Sequence, residues 1–216
     1  MKYHTVLFDL DGTLLDTLTD LAGSVNHALR SNGLSERSAR EVRAFLGNGI
    51  RDLVQQSVGT NCPLALFEAV FEDFRAHYRL HSLDATAPYA GIMPLLDQLQ
   101  GLGVRMGIIS NKVDEAVQGL HARFFGQAIE LAVGERAGIP KKPAPDAVLH
   151  AMQALKDDPA TTLYVGDSEV DFATAQAAGI DCALVLWGFR DDEQLRPLGA
   201  THYVEQPAEL LKIVES

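Results

Sequence analysis

Three groups of polar residues in this chain each come straight after a short apolar run, and their types and spacing can do chemistry. Val6-Leu7-Phe8 leads into Asp9-Leu10-Asp11-Gly12-Thr13, Met106-Gly107-Ile108-Ile109 into Ser110-Asn111-Lys112, and Leu163-Tyr164-Val165-Gly166 into Asp167-Ser168-Glu169-Val170-Asp171. A fourth group, Lys141-Lys142-Pro143-Ala144-Pro145, precedes a helical pattern, with Pro145 suited to a first helical turn. Asp9, Asp11, Asp167 and Asp171 in one crevice would repel each other at neutral pH unless a cation offset them. Oxygen ligands from few carboxylates, with room for water and phosphate oxygens, describe Mg²⁺ better than Ca²⁺ or Zn²⁺. A lysine and a serine hydroxyl opposite such an ion make a pocket for phosphoryl oxygens. One carboxylate can then act as a nucleophile, while a second, two residues away, protonates the leaving oxygen and later activates water.

These groups need a scaffold that brings distant segments to one place. Continuous runs rich in Val, Ile and Leu at 5–10, 104–110, 128–133, 162–166 and 182–186 read as strands buried on both faces. Helical patterns at 93–102, 113–124, 145–155 and 170–178 alternate with them, which predicts an α/β fold with a doubly wound parallel sheet. In such a sheet ligands bind at the carboxyl edge of the strands, where all three polar groups would converge. Ser168 with Asp171, and Asn111 with Asp114, are expected to cap helices, and Gly179 to close one.

The alternation breaks once. Between the first and second strands lie about ninety residues without a convincing strand, too many for a simple loop. Leu18, Leu21, Ala22, Val25, Ala28 and Leu29 share one helix face, with Thr17 and Asp20 as an expected capping box. Further helices are expected at 36–46, 50–58 and 64–81. The domains expected are thus a core of 1–15 and 87–216 and a helical insertion of 16–86. His27, His77 and His81 on these helices are read as surface or packing residues.

Composition bounds the partners. The 216 residues are 47% hydrophobic and 22% charged, as for a globular protein able to bury a core without disulfides. With 18 basic against 29 acidic residues, the formal charge of −11 argues against nucleic acid or an anionic membrane as main partner. Cys62 and Cys182 have no redox or zinc-ribbon spacing and read as thiols in a reducing compartment. Met1 to His4 run directly into a strand-like segment and no apolar run can span a membrane, so a cytoplasmic protein without a signal segment is expected.

On the four groups quoted above the sequence resembles the haloacid dehalogenase superfamily of phosphohydrolases, whose signature elements occur here in the same chain order. The resemblance implies Asp9 as nucleophile and Asp11 as acid/base. It implies Ser110, Asn111 and Lys142 as phosphate-binding residues, and Asp9, Asp11 (through its carbonyl) and Asp167 as Mg²⁺ ligands, with Asp171 in support. It also makes the helical insertion a cap domain. The carboxyl at Asp11 favours phosphate esters over halides, because a departing halide needs no proton. Val42-Arg43-Ala44-Phe45-Leu46-Gly47-Asn48-Gly49, Pro88-Tyr89-Ala90-Gly91 and Ser110-Asn111-Lys112 are similar to the phosphoglycolate phosphatase group. The implied enzyme is a Mg²⁺-dependent phosphatase, monomer or homodimer, acting on a small phosphorylated metabolite, 2-phosphoglycolate foremost, through an aspartyl-phosphate. Substrate choice would involve Asn48 in the Gly47-Asn48-Gly49 turn and Arg51. A sugar phosphomutase or a pyrophosphatase of the same superfamily is the alternative, and a non-enzymatic phosphate-binding protein would be expected to have lost one of the four polar groups.

Overall fold

The structure is a computed structural model that describes all of residues 1–216. In chain order the elements are β1 (Thr5–Phe8), β2 (Leu15–Asp16), α1 (Leu18–Ser31), α2 (Ala39–Phe45), α3 (Ile50–Val58), α4 (Leu64–His81), β3 (Ala87–Pro88) and α5 (Ile92–Gly101). There follow β4 (Arg105–Val113), α6 (Asp114–Phe124), β5 (Leu131–Glu135), α7 (Asp146–Ala154), β6 (Thr162–Gly166) and α8 (Glu169–Ala178). The chain ends with β7 (Asp181–Val185), α9 (Asp192–Leu195), β8 (His202–Val204) and α10 (Glu209–Glu215). Two compact units result, Met1–Leu14 with Pro88–Ser216, and Leu15–Ala87.

The first unit is built on a six-stranded sheet in the order β5-β4-β1-β6-β7-β8. Every pairing in it is parallel. A parallel sheet with flanking helices must bury both faces, and Val6, Leu7 and Phe8 of β1 are accordingly no more than 1% exposed. β1 sits between β4 and β6, with Phe8 opposite Ile108 on one side and Val165 on the other. Three adjacent central strands therefore carry polar residues at one edge, Asp9 and Asp167 just past β1 and β6 and Ser110 in the last part of β4. Cys182, on β7, is buried, and that burial pushes its thiol up, which keeps it protonated and inert.

The second unit is helical. The buried positions Leu21, Val25, Ala28 and Leu29 of α1 and Phe67, Val70, Phe74 and Tyr78 of α4 follow helical spacing, so each helix turns one apolar face inward. Ser38 caps α2 in a capping box with Glu41. Three imidazoles form a column joining α1 to α4, with ring centroids 4.1 Å apart for His27–His77 and 4.2 Å for His77–His81. They are packing residues, with Ser24 Oγ 3.0 Å from His77 Nδ1 and Asp84 Oδ2 2.7 Å from His81 Nδ1.

Two expected caps are corrected. Thr17 stands at the N-cap of α1 but makes no side-chain cap bond. Asp20 instead accepts hydrogen bonds from Ala85 N–H at 3.0 Å, Thr86 N–H at 2.9 Å and Thr86 Oγ at 2.7 Å. A carboxylate offered three donors from one segment does better there than with a single amide of its own helix. Asp20→Ala should therefore cost the helical unit about 2–3 kcal/mol, read as a lower urea midpoint for unfolding of α1 and α4. Likewise α6 begins after Val113 with no side-chain cap, because Asn111 and Asp114 have tertiary partners. Asp114 Oδ1 accepts from Gly134 N–H of β5 at 2.8 Å.

Candidate active site

Asp9 continues the β1 ladder for one residue, its N–H donating to Val165 O at 2.8 Å, before the chain turns. The turn closes through Leu14 N–H to Leu10 O at 3.0 Å. Gly12 adopts φ +91°, and a Cβ there would lie 2.4 Å from Asp167 Oδ2. Glycine at this position is what allows the loop after β1 to touch the loop after β6.

Lys142 is the cation at the centre of the site. It is 4% exposed, and its Nζ donates to Asp9 Oδ1 at 2.7 Å, Asp171 Oδ1 at 2.7 Å and Tyr164 OH at 3.2 Å. Burial works to lower the Lys142 pKa, but the Asp171 and Asp9 charges hold it well above the ordinary lysine value. The loop that carries Lys142 is fixed from β4. Lys142 N–H donates to Asn111 Oδ1 at 2.8 Å, and Asn111 Nδ2 donates to Lys142 O at 3.1 Å. Asn111, expected to cap α6, instead braces Lys142 at two points with its side-chain amide.

Asp171 has both oxygens filled by protein donors. Oδ1 takes Lys142 Nζ and Tyr164 OH. Oδ2 takes the N–H groups of Asp167 and Ser168, at 3.2 and 3.1 Å, and Ser168 Oγ at 2.6 Å. The Ser168–Asp171 capping box of α8 is formed as expected. Gly166 lets this carboxylate fold beneath the strand end, since a Cβ there would lie 2.3 Å from Asp171 Cβ.

Asp9 and Asp167 differ from Asp171 in this respect. Asp9 Oδ1 meets Lys142 and Asp167 Oδ2 accepts from Phe189 N–H at 2.6 Å, while the second oxygen of each has no protein donor. Carboxylate oxygens of Asp9, Asp167 and Asp171 lie within 4.8 Å of one another. Burial pushes Asp9 up to about 7, with Lys142 partly offsetting it. Burial, and then the Asp171 and Asp9 charges, raise Asp167 well above the carboxylate range. Four carboxylates here face two ammonium groups, those of Lys142 and of Lys112, which pairs with Asp11 at 2.9 Å. With Asp9 and Asp167 ionised, two negative charges would stand uncompensated on a hard-oxygen donor set, which fits a divalent cation such as Mg²⁺ held by these two residues. Asp171, though within reach, has no oxygen left to offer and serves to orient Lys142.

Sequence reasoning missed the loop after β7, Trp187-Gly188-Phe189-Arg190. Besides the Phe189 amide on Asp167, Trp187 Nε1 donates to Thr13 O at 3.0 Å, tying this loop to the turn after β1. Arg190, 7% exposed, grips Glu169 through Nε at 2.7 Å and Nη2 at 2.9 Å. The available signal was position, since this loop also leaves the carboxyl edge of a buried strand. A Cβ on Gly188 would lie 2.3 Å from Asp167 Cβ. Gly188→Ala should displace Asp167 and lower stability by about 1–3 kcal/mol, checked by urea denaturation.

In the helical unit Arg51, on α3, pairs with Glu68 at 2.6 Å and stacks on Phe67, 4.7 Å from the ring centroid. Asn48 lies between Gly47 and Gly49, whose φ values of +119° and +88° make a glycine-dependent turn.

Residues 6–185, most of the chain, match the family model described as haloacid dehalogenase-like hydrolase. The chain is a haloacid dehalogenase-like hydrolase. This hydrolase is 31% identical to a phosphoglycolate phosphatase of Aquifex aeolicus over 99% of its own length and 97% of the relative's. It is 35% identical to a phosphoglycolate phosphatase of Pseudomonas syringae pv. syringae, covering 85% of the hydrolase and 70% of that protein. Among solved structures, one from Lactobacillus delbrueckii subsp. bulgaricus superposes with a TM-score of 0.95 at 31% identity, covering 99% of both chains. Its assignment as a phosphoglycolate phosphatase is itself a prediction. No helix of the hydrolase is long and apolar enough to cross a membrane.

Proposed function

We propose that the hydrolase is a Mg²⁺-dependent phosphatase that cleaves a small phosphomonoester of the cytoplasm, with 2-phosphoglycolate the leading candidate. The observation that carries this reading is the pairing of Asp9, whose side chain keeps one carboxylate oxygen free of protein donors, with Asp11 two residues further on. The phosphatase reaction class follows from the family and from the names of its full-length relatives.

In the reaction, Asp9 attacks phosphorus, the bond from phosphorus to the ester oxygen breaks, and an aspartyl-phosphate forms. Asp11 gives its proton to the departing alkoxide, which leaves as the alcohol. Asp11 then takes a proton from the water that attacks the aspartyl-phosphate, releasing inorganic phosphate and restoring Asp9. Lys142 and Ser110 hold phosphoryl oxygens, and Lys142 also aims Asp9 through its contact with Oδ1. Asp9, Asp167 and the carbonyl of Asp11 would hold a Mg²⁺ ion, which would supply neutralising charge for the phosphoryl group. Substrate choice is assigned to the helical insertion, with Asn48 and Arg51 the residues to vary first.

Asp9 and Asp167 bear raised pKa values, so the metal-free folded protein holds more protons than the unfolded chain between 3.8 and about 7. Their contribution to stability therefore falls as pH rises through that window, and a cation that needs both ionised opposes the fall. The rise in Tm produced by saturating MgCl₂ should be larger at about pH 8 than at about pH 5.5. Equal rises at both pH values would count against these two ligands.

A screen over metabolite phosphomonoesters, with Mg²⁺ and with EDTA, tests the function. Mg²⁺-dependent phosphate release, with 2-phosphoglycolate preferred, is expected. Isomerisation of a sugar phosphate without phosphate release would replace the reading by a phosphomutase, and preferential cleavage of pyrophosphate by a pyrophosphatase.

A further inference from the structure

Lys112 takes no part in the chemistry above, yet its placement is costly. Its side chain is 4% exposed, and a buried ammonium needs a close partner. Asp11 is that partner, with Lys112 Nζ 2.9 Å from Oδ1 and 3.2 Å from Oδ2, so that one amine spans both carboxylate oxygens. The two residues, 101 apart in sequence, meet because β1 and β4 are adjacent parallel strands.

The backbone beneath Lys112 is fixed. Its N–H donates to Ser110 Oγ at 3.2 Å, and β4 shifts register between Ile109 and Val113, which places Ser110, Asn111 and Lys112 in an irregular stretch. The neighbouring Asn111 is braced at both ends of its amide on Lys142. An amine anchored this way, in contact with both oxygens, restricts Asp11 to few rotamers, while Asp11 keeps 20% of its side chain exposed toward solvent.

We propose that Lys112 is a positioning residue that holds the Asp11 carboxyl group where it can serve the leaving oxygen. This rests on the reading of Asp11 as the general acid. Misplacing such a group costs most where the leaving group needs a proton and least where it does not.

The test compares kcat/KM, in Mg²⁺, for an alkyl monoester such as ethyl phosphate and for p-nitrophenyl phosphate, whose stable oxyanion departs unaided. Lys112→Met should lower kcat/KM for the alkyl ester by roughly 10–100-fold and for the aryl ester by about 3-fold or less. Lys112→Arg should recover part of the alkyl activity. The alkyl-to-aryl ratio, taken within one preparation, does not depend on how much of it is folded, and Lys112→Gln serves if the Met variant does not fold. Asp11→Asn is run alongside. A ratio that falls in both Asp11→Asn and the neutral Lys112 variants supports the proposal. A fall in Asp11→Asn with an unchanged ratio in the Lys112 variants overturns it, as does an equal loss on both esters. An unchanged ratio in Asp11→Asn removes the reading of Asp11 as the acid, and the proposal falls with it.

Discussion

Asp9→Asn should abolish turnover, with kcat reduced by roughly 10⁴-fold or more, while the metal-free protein becomes no less stable. The amide has nearly the same shape and its oxygen can still accept from Lys142, now 2.7 Å from Asp9 Oδ1. It cannot attack phosphorus. Burial raises the Asp9 carboxyl to about 7, so ionisation there opposes folding in the absence of metal. A neutral side chain removes that opposition. Tm of the metal-free variant should thus equal or exceed the wild type, the more so at alkaline pH. Loss of activity together with loss of folding would mean that Asp9 is chiefly structural.

Lys142→Met should do the opposite and strike stability as hard as activity. Asp9 and Asp171 both lie 2.7 Å from the Lys142 ammonium, and Asp171 is completely buried. Removing the cation leaves carboxylates facing each other with no counter-charge, a loss of about 3–5 kcal/mol. Urea denaturation should show that drop at pH 7.5 and a smaller one near pH 5 by rough expectation, where protonation relieves the repulsion. Activity should be lost as well, because in the proposed mechanism Lys142 both aims Asp9, 2.7 Å away, and binds the phosphoryl group. Magnesium should restore part of the stability and none of the turnover.

What could be read from the sequence was whatever local pattern dictates. β6 begins and ends at Thr162 and Gly166, as its unbroken apolar run predicts, and α3 and α4 likewise run over the expected 50–58 and 64–81. β4 is longer than its apolar run, because Ser110, Asn111 and Lys112 are polar yet buried, and burial of polar groups is visible only once their partners are known. β8 and α10 went unread, since His202 and Tyr203 are half-buried at a sheet edge and α10 spans only Glu209–Glu215. Asp20 and Asn111 each carry a local capping pattern that distant donors outcompete. Three of the four polar groups were legible because each follows a strand, and the fourth because it precedes a helix. The wiring among them was not: Lys112 on Asp11, Asn111 on Lys142, Tyr164 between Lys142 and Asp171, and Phe189 on Asp167 all join segments far apart in the chain. Nor does periodicity reveal that Asp171, one of four similar aspartates, has no oxygen left for a metal.

The central claim is that the phosphoryl group passes through Asp9. The most direct measurement is to quench the enzyme during turnover of a phosphomonoester in Mg²⁺, reduce it with borohydride and map the peptides by mass spectrometry. An acyl phosphate is reduced to an alcohol whereas a free carboxylate is not, so the reduced side chain is predicted at position 9 and nowhere else. It should be absent without substrate. Reduction at another aspartate, or a position 9 that stays a carboxylate while phosphate is being released, would contradict the account.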